Sequence, residues 1–535
     1  MQARHADILS LVLLVVLTTA YQLVFLYDGI GLIDEGHLAN AARRLSMGEV
    51  LYRDVYTVYP PASFYAVSAL FDLFGTSLTV VRAFHAAMTV ALAATAFGVA
   101  RLLVARPWAL LAALLIGLTG WEAILERCHY AYLYSVFPIA ALGLLAKTLR
   151  DSVAIRGEIA GERNALIGVG VLAGLTLAFR LVPFVGLSAA AIVLIAVQTR
   201  SFPETVGRLL FVIAGGLLIV LPIGAAFAFA SAGPDFIHAV FWTSFQQYLG
   251  GGELNLPFPD LRFAPDAWTQ AALGRLFRNW EFYLPLAIYL AALVDGVRKV
   301  RSNGVAGADP NVPLRLALTT FGAILFLRAT GRSDYYHLAP VLAPAYLLGA
   351  DFLARGWARI ESGRSIQLAL APVAALILAS VWLHDVAGAA HRAGETESRV
   401  ELTIGGPRID RDSALDDLIF DLRARTDEDE AILVLPWYPV LYFLSERANP
   451  TRFDWLFPGY LTSDADREAI IDAIANSEVR TLVYNPAAID GLADRRLAAF
   501  EPAIDRAIRQ HFRPIKKYGR FLVMARVEPA RRRRN

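Results

Sequence analysis

The chain has a single cysteine, Cys128, in 535 residues. That excludes an internal disulfide framework and a metal site built on several thiolates, and Cys128 reads as a small core residue. Charge is also scarce: Asp, Glu, Lys and Arg make up 18% of the chain, where a soluble chain carries about a quarter. The formal net charge of +2 points to no particular partner, and no nucleic-acid ligand is expected. The C-terminal part has no glycine-rich loop of the kind that cradles a nucleotide phosphate. No internal repeat is visible. The first apolar run lacks a small-residue cleavage site, so it is expected to stay as an anchor.

Apolar residues are what the chain has in excess. They make up 56% of it, with a mean hydropathy of +0.48, and they gather in blocks of membrane length. The pattern reads as a polytopic α-helical membrane protein with about eleven spans. They are Ile8–Tyr27, Leu78–Val104, Trp108–Gly120, Tyr132–Ala146, Ala165–Phe179, Leu181–Val197, Leu209–Phe229, Phe282–Val294, Leu316–Leu327, Tyr336–Leu353 and Ile366–Leu383. Arg180 and Pro183 interrupt the stretch Ala165–Val197 and divide it in two. One long tilted helix there is the alternative, and it would reverse everything downstream.

Arginine and lysine placement favours the division. With the N-terminus in the cytoplasm, the inner loops hold Arg101, Arg106, Lys147, Arg150, Arg298, Lys299, Arg301, Arg315, Arg355 and Arg359. The outer turns hold few, mainly Arg127, Arg180, Arg328 and Arg332. This is the positive-inside asymmetry of a cytoplasmic (inner) membrane protein. It puts residues 34–75, the loop 231–281 and everything after His384 outside. Leu38, Ala41, Ala42 and Leu45 recur at helical spacing after Asp34, as in a helix lying on the membrane surface. A second helix is expected over Ser63–Phe74, started by Pro60-Pro61 and ended by Gly75. The aromatic loop 231–281 is either an interfacial belt or a wall for a lipid-linked or sugar ligand.

Residues 1–390 therefore read as the membrane domain and 391–535 as a small extracytoplasmic α/β domain. In the latter, Ala431–Leu435 and Val479–Tyr484 read as buried strands and Arg467–Asn476 and Phe500–Phe512 as helices. Pro514–Tyr518 and Arg520–Val527 read as a hairpin around Gly519.

Two polar groups stand out against this background. Just past the first span the chain reads Ile33-Asp34-Glu35-Gly36-His37. Two carboxylates at the mouth of a membrane protein are costly unless they face water or a substrate. Asp34 is a candidate to deprotonate an acceptor hydroxyl, with Glu35 assisting, holding the acceptor or binding a divalent cation. A helix N-cap is the structural alternative for Asp34. Asp54 and Tyr59 follow in the same loop as candidate substrate contacts; the alternative is a solvated charge and a ring packed on proline.

The second group is the turn Arg328-Ala329-Thr330-Gly331-Arg332-Ser333-Asp334-Tyr335-Tyr336-His337. Arginine forks match phosphate oxygens, so Arg328, Arg332, Asp334 and His337, with Arg180, are candidates for a substrate phosphate site. Contact with anionic headgroups is the alternative. Glu126, Arg127 and His129 fill another outer turn, where His129 reads as structural. His37 and His337 leave a divalent cation open, but their spacing specifies none.

In layout the membrane part resembles the GT-C superfamily of membrane glycosyltransferases. These polyprenyl-phosphate-sugar-dependent enzymes include protein O-mannosyltransferases and the lipid A aminoarabinose transferase. The resemblance rests on Ile33-Asp34-Glu35 after the first span, the surface helix that follows, Tyr59-Pro60-Pro61, Arg82, the Arg332–His337 turn and the soluble tail. It implies an inverting transferase that moves a sugar from a polyprenyl phosphate to a hydroxyl of a glycan, lipid or protein acceptor among membrane lipids, without a nucleotide. It places the acid on Asp34, or on Glu35, and the lipid phosphate with Arg332 and His337, joined by Arg180 and Arg328. In the aminoarabinose branch a lysine precedes the proline pair, where this chain has Tyr59, so no lysine–phosphate contact carries over. The rivals are a transporter or flippase of a lipid-linked sugar and a non-catalytic scaffold. A transporter is expected to show repeated halves and broken mid-membrane helices.

Overall fold

A computed structural model describes residues 2–24, 26, 29–118, 134–154, 159–199, 201–249, 255, 256, 258, 270–307, 309–360 and 413–527. Long apolar runs become long helices because the bilayer leaves backbone polar groups no partner but each other. The first five are α1 (Gln2–Val24), the shorter helices α2 (Asp34–Ser46) and α3 (Ala62–Phe74), α4 (Leu78–Ala100) and α5 (Arg106–Leu118). Helices Val136–Ala154, Ile159–Phe179, Leu181–Gln198, Phe202–Phe229, Gln270–Gly307, Val312–Gly331 and Tyr335–Ile360 follow. Among the described residues, seven helices are long and apolar enough to cross a membrane. The expected span Ile366–Leu383 and the Glu126–His129 turn lie outside the described residues.

The chain is interrupted at Arg180. Its backbone is extended (φ −158°, ψ 131°) between Ile159–Phe179 and Leu181–Gln198, so the stretch is two helices packed against each other. Helix Phe202–Phe229 shows the lipid-facing pattern: Gly215 and Phe227 are buried, whereas Leu210, Ile213, Leu217, Leu218 and Leu221 are exposed. At the end away from Asp34, the charges pair with each other. Arg315 donates to Asp309 and Asp351, and Arg355 to Asp351 and Asp295.

Helices α2 and α3 begin and end as their sequence suggests. Gly75 closes α3 at φ +85°, a conformation glycine adopts without steric cost. Residues 413–527 form a four-stranded sheet, β1 (Ile432–Leu435), β2 (Thr481–Tyr484), β3 (Phe512–Tyr518) and β4 (Phe521–Arg526), in the order β1-β2-β4-β3. β1 and β2 are parallel; β4 runs antiparallel to β2 and β3. Helices Asp464–Ala475 and Pro502–His511 match the expected ones to within a few residues. This region does not have a core of its own. Leu38, Ala41, Leu45, Phe64 and Phe71 from α2 and α3 pack into one continuous apolar cluster with Val440, Phe443, Trp455 and Leu482.

Candidate active site

The segment Asp34–His37 opens α2, and the helical turn sends each side chain in a different direction. The cap position is Ile33, so Asp34 is the first helical residue rather than the N-cap. It is half-buried and lines a cavity. Glu35 is fully buried. Its two oxygens accept from Arg82 Nε at 2.6 Å and Nη2 at 3.0 Å, and one also accepts from the Gly31 N–H at 2.8 Å. Gly36 faces the C-terminal domain so closely that a β-carbon there would lie 2.4 Å from the Val440 nitrogen. His37 stacks on Trp455, ring centroids 3.9 Å apart, and meets Thr57 Oγ1 at 3.2 Å. Burial pushes the His37 imidazole down to about 4; Arg44 adds to this and Asp454 opposes it. Two turns on, Arg44 donates to the fully buried Asp454 at 2.8 Å.

The arginine turn is wired just as tightly. An arginine has no acceptor atom, so the 3.1 Å contact between Arg328 Nη2 and His337 Nε2 makes that ring nitrogen the acceptor. Nδ1 then carries the proton and donates it to Asp334 Oδ1 at 2.6 Å. Asp334 also accepts from the His337 backbone N–H and from Arg332 Nε at 2.8 Å. Burial alone would raise the Asp334 carboxyl; the His337 N–H and Arg332 beside it hold it at about 2. Arg332 turns its other two nitrogens to Asp490 of the C-terminal domain, at 3.1 and 3.2 Å. Asp490 in turn accepts from Arg495 at 2.6 Å.

These two constellations open into one chamber of about 490 Å³. Asp34 and Tyr59 come to it from the segment between α1 and α4, and Arg180 from the helix break. Arg328, Arg332, Asp334 and His337 come from the late turn. Arg180 lies over the Tyr59 ring, 4.1 Å from its centroid, a cation–π geometry. A smaller recess of about 30 Å³ continues from the Arg180–Arg328–His337 wall between Val182, Pro183, Leu325 and Pro340. A polar chamber with two guanidiniums at its wall suits an anionic ligand.

No family model matches the chain, and no curated protein does. Solved structures do. ArnT from Cupriavidus metallidurans bound to undecaprenyl phosphate superposes with a TM-score of 0.56 at 14% identity, over 97% of this chain and 98% of that one. The Archaeoglobus fulgidus oligosaccharyltransferase in its apo form gives 0.58 at 13% identity, over 94% and 72%. AglB from the same archaeon, with an inhibitory peptide and a dolichol-phosphate, gives 0.55 at 14%, over 97% and 75%. The chain has the GT-C fold.

Within this GT-C fold, two of the expected site residues are not in the chamber. Glu35 is one: its carboxylate closes a buried ion pair that ties α2 to α4 through Arg82, and it does not line the cavity. Asp54 is the other. It accepts from Arg53 at 2.7 Å and from the Val50 N–H at 2.8 Å, which holds the loop 50–54 and keeps its carboxyl below the usual range. Arg332 and Asp334 do line the chamber, but Arg332 is neutralised by two carboxylates. The sequence alone missed the C-terminal wall: Trp437, Tyr438, Trp455, Phe457, Asp490 and Arg520. The signal was available in the aromatic runs Trp437-Tyr438 and Trp455–Tyr460 of an otherwise charged domain. Among the described residues no three His, Cys, Asp or Glu side chains come together to hold a metal. His37 and His337 have the separate partners given above.

Proposed function

We propose that this protein is an inverting membrane glycosyltransferase that moves a sugar from a polyprenyl-phosphate donor to an acceptor hydroxyl at the outer face of the cytoplasmic membrane. A single observation carries the reading: one carboxylate, Asp34, and the arginine pair Arg180 and Arg328 line the same chamber. The named ligands of the superposed structures, undecaprenyl phosphate and dolichol-phosphate, support a lipid-phosphate donor.

The chemistry follows from the placement. The polyprenyl chain lies toward the apolar recess and its phosphate against Arg180 and Arg328, the latter oriented by His337 Nε2. Asp34 accepts the proton of the acceptor hydroxyl, whose oxygen attacks the anomeric carbon. The carbon–oxygen bond to phosphate breaks, and its electron pair goes to the phosphate oxygen. A phosphodiester monoanion thereby becomes a monoester dianion, and fixed guanidiniums aimed at that growing charge supply the larger electrostatic share of the acceleration. Asp34 contributes the general-base share, about 10²–10⁴-fold.

The test is Asp34→Asn in membranes supplied with an undecaprenyl-phosphate sugar. Transfer falls by at least about 10²-fold, while undecaprenyl phosphate still binds the purified variant. Unchanged turnover removes the assignment. A reporter fused after Leu383 places the tail; a cytoplasmic signal overturns the orientation.

A further inference from the structure

The aromatic stretch after helix Phe202–Phe229 has a face that the chamber does not use: Phe241, Trp242 and Phe245 do not line it. The chain reverses at Ser231 (φ +56°). It continues as a helical segment of three parts, Gly233–Ile237, the π turn His238–Thr243 and Ser244–Leu249. One side of this segment is fixed to the rest of the protein. Ala239, Val240, Thr243 and Ser244 are buried, and Phe236 stacks on Phe227 at 4.8 Å. Arg53 donates to the Ala230 carbonyl at 3.1 Å, and Arg452 of the C-terminal domain to Asp235 at 3.2 Å. Ser244 Oγ donates to the Val58 carbonyl at 3.3 Å.

The other side is apolar and open. Ile237, Phe241, Trp242 and Phe245 share it at the spacing of one helix face. Trp242 is 55% exposed, and Phe229 at the end of the preceding helix is 91% exposed. Between Phe229 and Phe245 the only Asp, Glu, Lys or Arg is Asp235, which Arg452 matches. Large rings turned outward from a rigid element mark a surface that meets something other than water.

Helix length says at what depth that surface lies. Arg208, paired with Glu162 and Glu204, is the last charge before the run Leu209–Phe229. That run rises about 32 Å at about 1.5 Å per residue, against a hydrocarbon core of about 30 Å. A tilt of about 20° shortens it by only about 2 Å. With the ion-paired end at one boundary of the hydrocarbon, Phe229 stands at the other. The exposed leucines of the same run lead directly to it, so the lipid-facing surface and the aromatic face are continuous.

We propose that Phe229, Ile237, Phe241, Trp242 and Phe245 form a bilayer seat, inserted at the boundary between headgroups and acyl chains of the leaflet beside the chamber. An amphipathic helical face with Trp and Phe is at its most favourable at that depth. Val58, which Ser244 holds, lines the chamber, so the seat also fixes the height of the chamber above the hydrocarbon. This goes beyond the glycosyltransferase reading and stands or falls without it.

The experiment uses the full chain in phosphatidylcholine vesicles whose lipids carry bromine either high or low on the acyl chains, with iodide on both sides of the membrane as the aqueous quencher. The fluorescence lost in Trp242→Phe isolates Trp242, and the change keeps an aromatic ring at an exposed site, so folding is not at stake. Leu217→Trp in the Trp242→Phe background is the deep reference, about 18 Å along the helix from Phe229. The Trp242 signal is expected to lose more intensity to high bromines than to low ones and little to iodide, and the reference to show the reverse order of bromines. Quenching of Trp242 by iodide and not by bromine puts the face in water and overturns the seat. Quenching by neither shows a protein cover, such as a second copy of the chain, and overturns it too. A Trp242 profile as deep as that of the reference, or a reference that bromine does not reach, refutes the depth argument and the seat with it.

Discussion

Gly36→Ala is a one-carbon change whose sign can be worked out. Inside a helix, alanine is favoured over glycine by about 1 kcal/mol, so on propensity alone the variant gains stability. At Gly36 the added carbon meets Val440 at 2.4 Å from its nitrogen, 2.6 Å from Cβ and 2.7 Å from Cα. Two of the three are backbone atoms, so no rotamer change relieves the clash, and α2 must move away from the C-terminal domain. Overpacking of this kind costs about 1–3 kcal/mol. Here it also disturbs the His37–Trp455 stack and the Arg44–Asp454 pair on the same helix. The net expectation is a loss of about 1–2 kcal/mol. Asp34 lies two residues away, and a displacement of about 1 Å at a reacting group costs on the order of 10²-fold in rate. Thermal unfolding in detergent and sugar transfer are read together. Gly98→Ala in α4 is the control, because nothing lies within 4 Å of its added carbon; that variant is expected to be neutral or stabilised. A Gly36→Ala variant as stable and as active as its parent refutes the close approach of the two domains.

Two further outcomes are expected. Glu35→Gln leaves the Arg82 guanidinium buried without its balancing charge, a loss of about 3–5 kcal/mol, whereas Asp54→Asn at its partly exposed pair costs about 1 kcal/mol or less; unfolding midpoints of the two variants check the order. The pH dependence has a definite sign at His37. Its folded value near 4 lies below the usual 6.5, so the unfolded chain takes up the proton first. Stability is therefore lost as pH falls below about 6.5 and levels off near 4, by up to about 3 kcal/mol. His37→Gln makes melting temperature less steep against pH over that window, with a slope remaining from His337, and an equally steep profile in the variant sinks the assignment.

Much of this was readable from residue patterns because helix starts, stops and apolar periods are specified locally; the burial of α2 on nearly all sides against the C-terminal domain, where a helix lying on the membrane surface was expected, was not. The period of Leu38, Ala41 and Leu45, the Pro60-Pro61 start and the Gly75 stop each act within a turn or two, and the structure follows them. The break at Arg180 was readable for the same reason. The roles of individual carboxylates were not. Asp34 and Glu35 are adjacent and chemically alike, and only the rotation of α2 against α4 sends one to the chamber and the other to Arg82. Asp54 had the same ambiguity, settled by its neighbour Arg53. Arg332 looked like a phosphate ligand because its second carboxylate, Asp490, is 158 residues away in sequence.

The C-terminal domain acts on the chamber both by holding α2 and by forming part of the wall. Through Gly36, His37 and Arg44 it fixes α2, and so the position of Asp34. Through Asp490 it takes up Arg332. A carboxylate on the domain thus limits how much positive charge the chamber wall presents. The same domain also places Arg520 at the chamber wall. The domain shares its apolar core with α2 and α3, so the same packing that builds the chamber wall also sets where Asp34 stands on α2.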